Sequence, residues 1–384
     1  MRIRTALSRK PALAGAAALA ALGISATSAV SASASSSPMP SPSASSMLSP
    51  SASSMLSPST SERPNPRSTP GTRLSAPASP SPYASSSPGP YIALANTDPS
   101  AASSYTNVNQ LLNSAAVTEA AAYQQYYGYA AAADQEGYTD LANVWRTVGQ
   151  VEHQDHYTHE ITLSGLYSGS DNIANLRIAI LQAQEAAKAY ERWAGEAPDH
   201  EAAHVLRKVA ERQTVAADLL TQALDALQGQ DGSVPAAPEI EYYQVKVSPE
   251  PHYSGTFFTE LTGASNSALA AASWQWAEYQ WMAKVAVSTG QADLGKLLSA
   301  LEIQEQQNWN WLSNLAGYVN GVQLNLQESI ASEQGAIDMY TAWATRSDQL
   351  GNPSVASTFR SITTDEQGHH QTFTTELAQV QSGN

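Results

Sequence analysis

Cysteine is absent from all 384 residues. That excludes disulfides, thiol catalysis, thiolate metal sites and a lipid-modified N-terminal cysteine. Basic side chains are scarce: 19 Lys and Arg stand against 34 Asp and Glu, a formal charge of −15. A chain this acidic will not follow a phosphate backbone by counterion release, so nucleic acid is not an expected partner. Apolar runs of membrane-spanning length are lacking beyond the N-terminus, and strand signals are nearly so. What remains is a chain dominated by helical periodicity.

The N-terminus has the features of a secretory signal over residues 1–34. Arg2, Arg4, Arg9 and Lys10 form a basic start, an apolar run extends from Ala12 to Ile24, and Ala32-Ser33-Ala34 offers an A-x-A cleavage site. Removing these four positive charges takes the net charge from −15 to −19. Residues 35–104 are rich in Ser, Pro and Ala, and the octet Pro-Ser-Ala-Ser-Ser-Met-Leu-Ser occurs at 42–49 and again at 50–57. Such a stretch has too little apolar surface to offset the entropy of ordering it. The expectation is a disordered tether on an exported protein, secreted or associated with the cell envelope through that tether. No transmembrane span is expected after signal cleavage. Nothing here fixes an oligomeric state.

From Tyr105 onward the pattern predicts eight helices in four hairpins. They span about 106–133 with 138–165, 173–195 with 199–228, 257–288 with 291–317, and 322–347 with 353–381. Pro235, Pro238, Pro249 and Pro251 mark a break, in which Ile240 to Val247 alternates like a short extended piece. Asn175-Leu176 and Asn325-Leu326 both open helices, and Tyr190/Trp193 and Tyr340/Trp343 close them, as expected of a duplicated hairpin. Short connections favour sequential pairing. The fold class is therefore all-α, with one four-helix bundle at 105–229, a linker at 230–255 and a second bundle at 256–384. Trp274, Trp276, Trp281, Trp309 and Trp311 are assigned to packing.

The chemistry lies in acids on apolar helix faces. Glu333 shares a face with Ile330, Ile337 and Tyr340, and Glu366, 33 residues later, with Phe359, Ile362 and Phe373; His369 follows one turn on. Glu119 and Glu152 repeat the 33-residue spacing, with Asp155, His156 and His159 following on that face. His153 points away and is expected at the surface. Burying an unpaired carboxylate costs several kcal/mol, roughly, and metal ions would compensate it. A Glu on one helix with Glu-x-x-His on the next is half of a carboxylate-bridged two-metal site.

These motifs carry a resemblance. Glu119 to Tyr123, Gln135-Glu136-Gly137-Tyr138 and Glu152 to His156 resemble the first hairpin of rubrerythrins, within the ferritin-like superfamily. Asn325-Leu326, Glu333, Tyr340 and Glu366-x-x-His369 resemble that family's second metal-binding hairpin, and Asp365 to His369 also resembles the helix of acyl-carrier desaturases. The resemblance spans roughly residues 106–381. It implies iron or manganese, one or two ions, with oxidase, peroxidase or ferroxidase-type chemistry. A desaturase fits poorly, because acyl-carrier substrates are cytosolic. The departures are specific. His156 comes one place late. The second hairpin offers Gln182 and Glu185, then Gln213 and Ala216 where Glu and His belong. The third has Ala272 or Ser273, then Glu305-x-x-Asn308.

Under sequential pairing neither bundle has a full ligand set. The first keeps Glu119, Glu152, Asp155 or His156, and Glu185; the second keeps Glu305, Glu333, Glu366 and His369. Two function classes follow: a ferritin-like metalloprotein, catalytic or not, and a metal-free scaffold acting as a secreted binding or envelope module. The expectation is that two ancestral sites decayed independently, with Glu119 and Glu366 in separate bundles more than roughly 15 Å apart, since packed helix axes lie 8–10 Å apart. The alternative is that the first and fourth hairpins pack together, or that two chains exchange hairpins, so that Glu119, Glu152, His156, Glu333, Glu366 and His369 form one two-metal set.

Overall fold

Capping residues set the helix ends in the computed structural model, which describes residues 99–197, 199–229, 233–248 and 256–382. The expected signal and almost all of the expected tether lie outside the described residues. The tether's last part is a correction: Pro99–Ser104 form a 3-10 helix with Ala102 buried. Helix α1 (Val108–Glu136) starts where the Asn107 side chain accepts from Gln110 N, and stops at Gly137, whose φ of 88° only glycine adopts without strain. Helix α2 (Thr139–Val151), a π-helical turn (Glu152–Tyr157) and α3 (Thr158–Ser164) follow one another without a break. Asp171 caps α4 (Asn172–Glu196) and Asp199 caps α5 (His200–Leu227). The remaining helices are α6 (Thr256–Ser288), α7 (Ala292–Ala316), α8 (Val322–Gln349) and α9 (Pro353–Ser382). The fold is all-α, with no strand among the described residues.

Ile240 to Val247 forms no strand. Nor is this part of 230–255 a free linker. Its backbone is held by α7 amides: Gln307 Oε1 accepts from Tyr243 N (2.7 Å), Asn310 Nδ2 donates to Tyr243 O (2.8 Å), and Asn314 bonds both Lys246 N (2.7 Å) and Gln244 O (2.8 Å). Side chains replace the neighbouring strand that this segment lacks.

The pairing of hairpins differs from the sequential expectation of bundles at 105–229 and 256–384. Hairpin 1 (α1–α3) packs against hairpin 4 (α8, α9), while hairpin 2 (α4, α5) packs against hairpin 3 (α6, α7). Phe373 of α9 lies against Tyr126 and Trp145, and Trp145 Nε1 donates to Ser329 Oγ of α8 (2.9 Å). In the other pair, Trp274 Nε1 of α6 donates to Gln182 Oε1 of α4 (2.7 Å). Helix α1 also lies along α6, where Tyr123 stacks on Trp276 with ring centroids 4.4 Å apart. At Gly128 a Cβ would sit 2.6 Å from Trp309 Cη2, so a side chain there would press on α7. Trp274, Trp276 and Trp309 are buried and Trp281 and Trp311 partly so, as packing residues should be.

Loop entropy explains why sequence order loses. Each doubling of a closed loop costs only about 0.6 kcal/mol. Leaving buried carboxylates without compensating groups costs several times that, roughly. The acids of hairpin 1 find their complement on hairpin 4, not on its neighbour in sequence.

Candidate metal centre

Six side chains from four helical segments meet between hairpins 1 and 4. Glu119 comes from α1, Glu152 and His156 from the π-helical turn, Glu333 from α8, and Glu366 and His369 from α9. They fall into two overlapping groups, Glu119/Glu152/His156/Glu366 and Glu152/Glu333/Glu366/His369, each with ligand atoms all within 4.8 Å of one another. His156 Nδ1 lies 2.9 Å from Glu152 and 3.6 Å from both Glu119 and Glu366. His369 Nδ1 lies 3.0 Å from Glu152, 3.4 Å from Glu366 and 3.8 Å from Glu333. Glu119 and Glu366 are thus neighbours. The expected separation of these two acids into different bundles, and with it the decay of two independent sites, is overturned.

The late histidine has a local cause. A π-helical turn takes one more residue than an α-turn. With Glu152–Tyr157 wound this way, His156 at i+4 occupies the direction that i+3 has in an α-helix. Asp155 and His159, expected on the same face, are instead exposed. His153, expected at the surface, is buried against Tyr123, Tyr157 and Trp276, and burial pushes its pKa down to about 3.

Two tyrosines cross between the hairpins. Tyr126 of hairpin 1 donates to Glu333 Oε1 of hairpin 4, and Tyr340 of hairpin 4 donates to Glu119 Oε1 of hairpin 1. Each tyrosine lies seven residues after its own hairpin's first-helix glutamate. This exchange was missed in the sequence, although the shared Glu-to-Tyr spacing was a signal for it. Also missed was Glu160, fully buried, with its Oε1 2.9 Å from the Tyr340 hydroxyl. One phenol proton cannot serve two ionised carboxylates. Burial, then the Glu119 charge, pushes Glu160 well above the usual range, so it stays neutral.

The electrostatics follow from too many acids in too little water. Burial and the Glu152 charge raise Glu119 to about 7. Burial first, then neighbouring carboxylates, push Glu333 and Glu366 well up. Glu152 goes the other way: burial opposes its charge, but hydrogen bonds from His156 and His369 hold it well below the ordinary value. His156 is raised against its own burial by Glu119 and Glu152. Five buried carboxyls facing two imidazoles form a set that is short of positive charge. Glu119 Oε2 is buried with no hydrogen-bond partner. An orphaned carboxylate oxygen 3.6 Å from the His156 imidazole nitrogen fits a cation.

The other two sequence candidates lie elsewhere. Glu185 faces outward and pairs with Lys188 Nζ at 2.7 Å. Glu305 is buried between hairpins 2 and 3, where Gln213 and Asn308 donate to it.

Residues 325–384 match the family model described as Rubrerythrin. The fourth hairpin is a rubrerythrin-type, ferritin-like hairpin. The match covers the segment that carries Glu333, Glu366 and His369. No curated protein and no solved structure matches the chain. The rubrerythrin-type hairpin thus supplies half of the buried cluster, and hairpin 1 supplies a matching half.

Proposed function

We propose that the chain binds two iron or manganese ions between hairpins 1 and 4 and works as an exported ferritin-like oxidoreductase. The carrying observation is that the two ligand groups share Glu152 and Glu366. Shared carboxylates with separate ends are the arrangement of a two-metal carboxylate centre in a helical bundle. Glu119 and His156 would complete one end, Glu333 and His369 the other. Tyr126 and Tyr340 orient the two terminal glutamates across the hairpin interface, as groups behind the ligands do at metal sites. When bound, a redox-active ion pair supplies one- and two-electron chemistry toward a peroxide, dioxygen or Fe(II).

The chain's own residues set the limits of that chemistry. Glu152 is held ionised by the two histidines, while Glu160 keeps its proton beside Tyr340. With no cysteine, the chain holds no thiolate iron site of its own, so reductant has to come from another molecule. No helix among the described residues is long and apolar enough to cross a membrane. The basic, apolar and A-x-A segments of residues 1–34 support export, and the Ser/Pro-rich stretch supports a tether at the cell envelope.

The test is metal content of the full chain after supply of Fe(II) or Mn(II), beside its Glu366→Gln variant. Two ions per chain are expected from the two groups, falling to near none in the variant. A metal-free parent would return the chain to the scaffold reading. For export, N-terminal sequencing of protein recovered from the medium checks cleavage after Ala34.

A further inference from the structure

Hairpins 2 and 3 repeat the geometry of hairpins 4 and 1 in register. Gly137 and Gly290 both end a first helix in the left-handed region, at φ 88° and 81°. Glu152 follows the first by 15 residues, and Glu305 follows the second by 15. Glu366 is 13 residues beyond the start of α9, and Gln213 is 13 residues beyond the start of α5. The equivalents of the shared pair Glu152/Glu366 are therefore Glu305/Gln213. They also face each other: Gln213 Nε2 donates to Glu305 Oε1 at 2.9 Å and Oε2 at 3.0 Å.

The equivalent end positions have lost their donors. Ala272 stands for Glu119 and Ala216 for His369 in the same register, and Ala183 for Glu333 when Tyr190/Trp193 are laid on Tyr340/Trp343. Amides fill the space. Asn308 Nδ2 donates to Glu305 Oε2 (3.1 Å), Gln275 Nε2 donates to Gln213 Oε1 (2.8 Å), and Arg212 Nη1 donates to Asn308 Oδ1 (2.8 Å). Both oxygens of Glu305 are thus occupied by N–H groups from inside the protein. A cation at Glu305 would have to displace three hydrogen bonds.

We infer that hairpins 2 and 3 hold a metal-free counterpart of the centre, in which the Gln213 amide does for Glu305 what ions do for Glu152 and Glu366. The chain then carries one two-metal centre rather than two, and half of its helices are locked without metal. This rests on the two-metal reading of hairpins 1 and 4 only for the count of ions. The amide lock stands on its own contacts.

The experiment compares full-chain parent, Glu305→Gln, Gln213→Glu and Glu366→Gln by metal analysis after Mn(II) loading and by thermal melting at neutral pH. Glu305→Gln should keep the parent's metal content. Gln213→Glu should lower the melting temperature by at least about 5 °C, because a donor to a buried carboxylate becomes a second acid. Loss of an ion in Glu305→Gln would overturn the inference, as would an unchanged melt in Gln213→Glu. Unchanged metal in Glu366→Gln would instead defeat the two-metal reading. If the parent binds no metal, the Gln213→Glu melt still decides the lock.

Discussion

Hairpins 1 and 4 and hairpins 2 and 3 are two versions of one arrangement, and they solve the same problem differently. Both bury acids at the middle of four packed helices. The first pair surrounds Glu152 and Glu366 with further carboxylates and two histidines, leaving Glu119 Oε2 without a hydrogen-bond partner. The second pair surrounds Glu305 with amide donors from Gln213 and Asn308. A buried acid is tolerated when it is neutral, hydrogen-bonded or bound to a cation. In the second pair an amide, Gln213, stands where the first pair has a carboxylate, Glu366, and the acid facing it is hydrogen-bonded.

The largest expected effect comes from removing a shared ligand. Glu152→Gln should empty both ends of the centre, since Glu152 belongs to both ligand groups. Glu119→Gln should cost only the end shared with His156. Metal analysis of the two variants checks the ranking, and equal losses would break the bridging assignment.

Next in size is a pH effect, which in the second pair comes from Glu278 and Glu305. Burial raises Glu278 to about 8 and Glu305 to about 7, against 4.5 in an unstructured chain. Between about pH 4.5 and 8 the unfolded chain releases protons that the folded chain keeps. The contribution of these groups is therefore neutral below 4.5, becomes more destabilising as pH rises through that window, and is constant above it. Glu278→Gln should flatten this fall, because Tyr167 can donate to the amide oxygen as it does to Glu278 Oε1. Denaturation at pH 5 and pH 8 measures it; an equal slope in the variant contradicts the assignment.

Much of this was legible in the sequence because it is local. Helix ends at Gly137, Asp199, Gly290 and Pro353 are local, because these residues cap or punctuate through their own backbone or side chain. All six centre residues were visible as acids and histidines at helical spacing on apolar faces. The pairing of hairpins 1 and 4 was legible only as the alternative to sequential bundles, because it depends on which buried acids complement one another, and the rule about short connections, which carries less energy than that, pointed the other way. The π-helical turn was hidden for a related reason. Its helical periodicity differs from an α-turn by one residue, and only the displaced His156 recorded it. Glu278 stood among tryptophans and alanines with no partner at motif spacing, so its burial showed only in three dimensions.

Smaller still is the exchange of tyrosines. Tyr126→Phe and Tyr340→Phe each remove the donor to a buried carboxylate on the opposite hairpin, with an expected loss of about 1–3 kcal/mol in the metal-free protein. Denaturant titration would detect it, and a pair of neutral substitutions would argue against cross-hairpin support. Smallest is Glu185→Gln. An exposed pair with Lys188 is worth roughly 0–1 kcal/mol, and metal content should not change.

The most direct test is to locate the ions. Crystals of the full chain grown with Mn(II), measured for anomalous scattering, should show two peaks between hairpins 1 and 4, both beside Glu152 and Glu366, and none beside Glu305. A peak at Glu305, or none at the Glu152/Glu366 pair, would contradict the account.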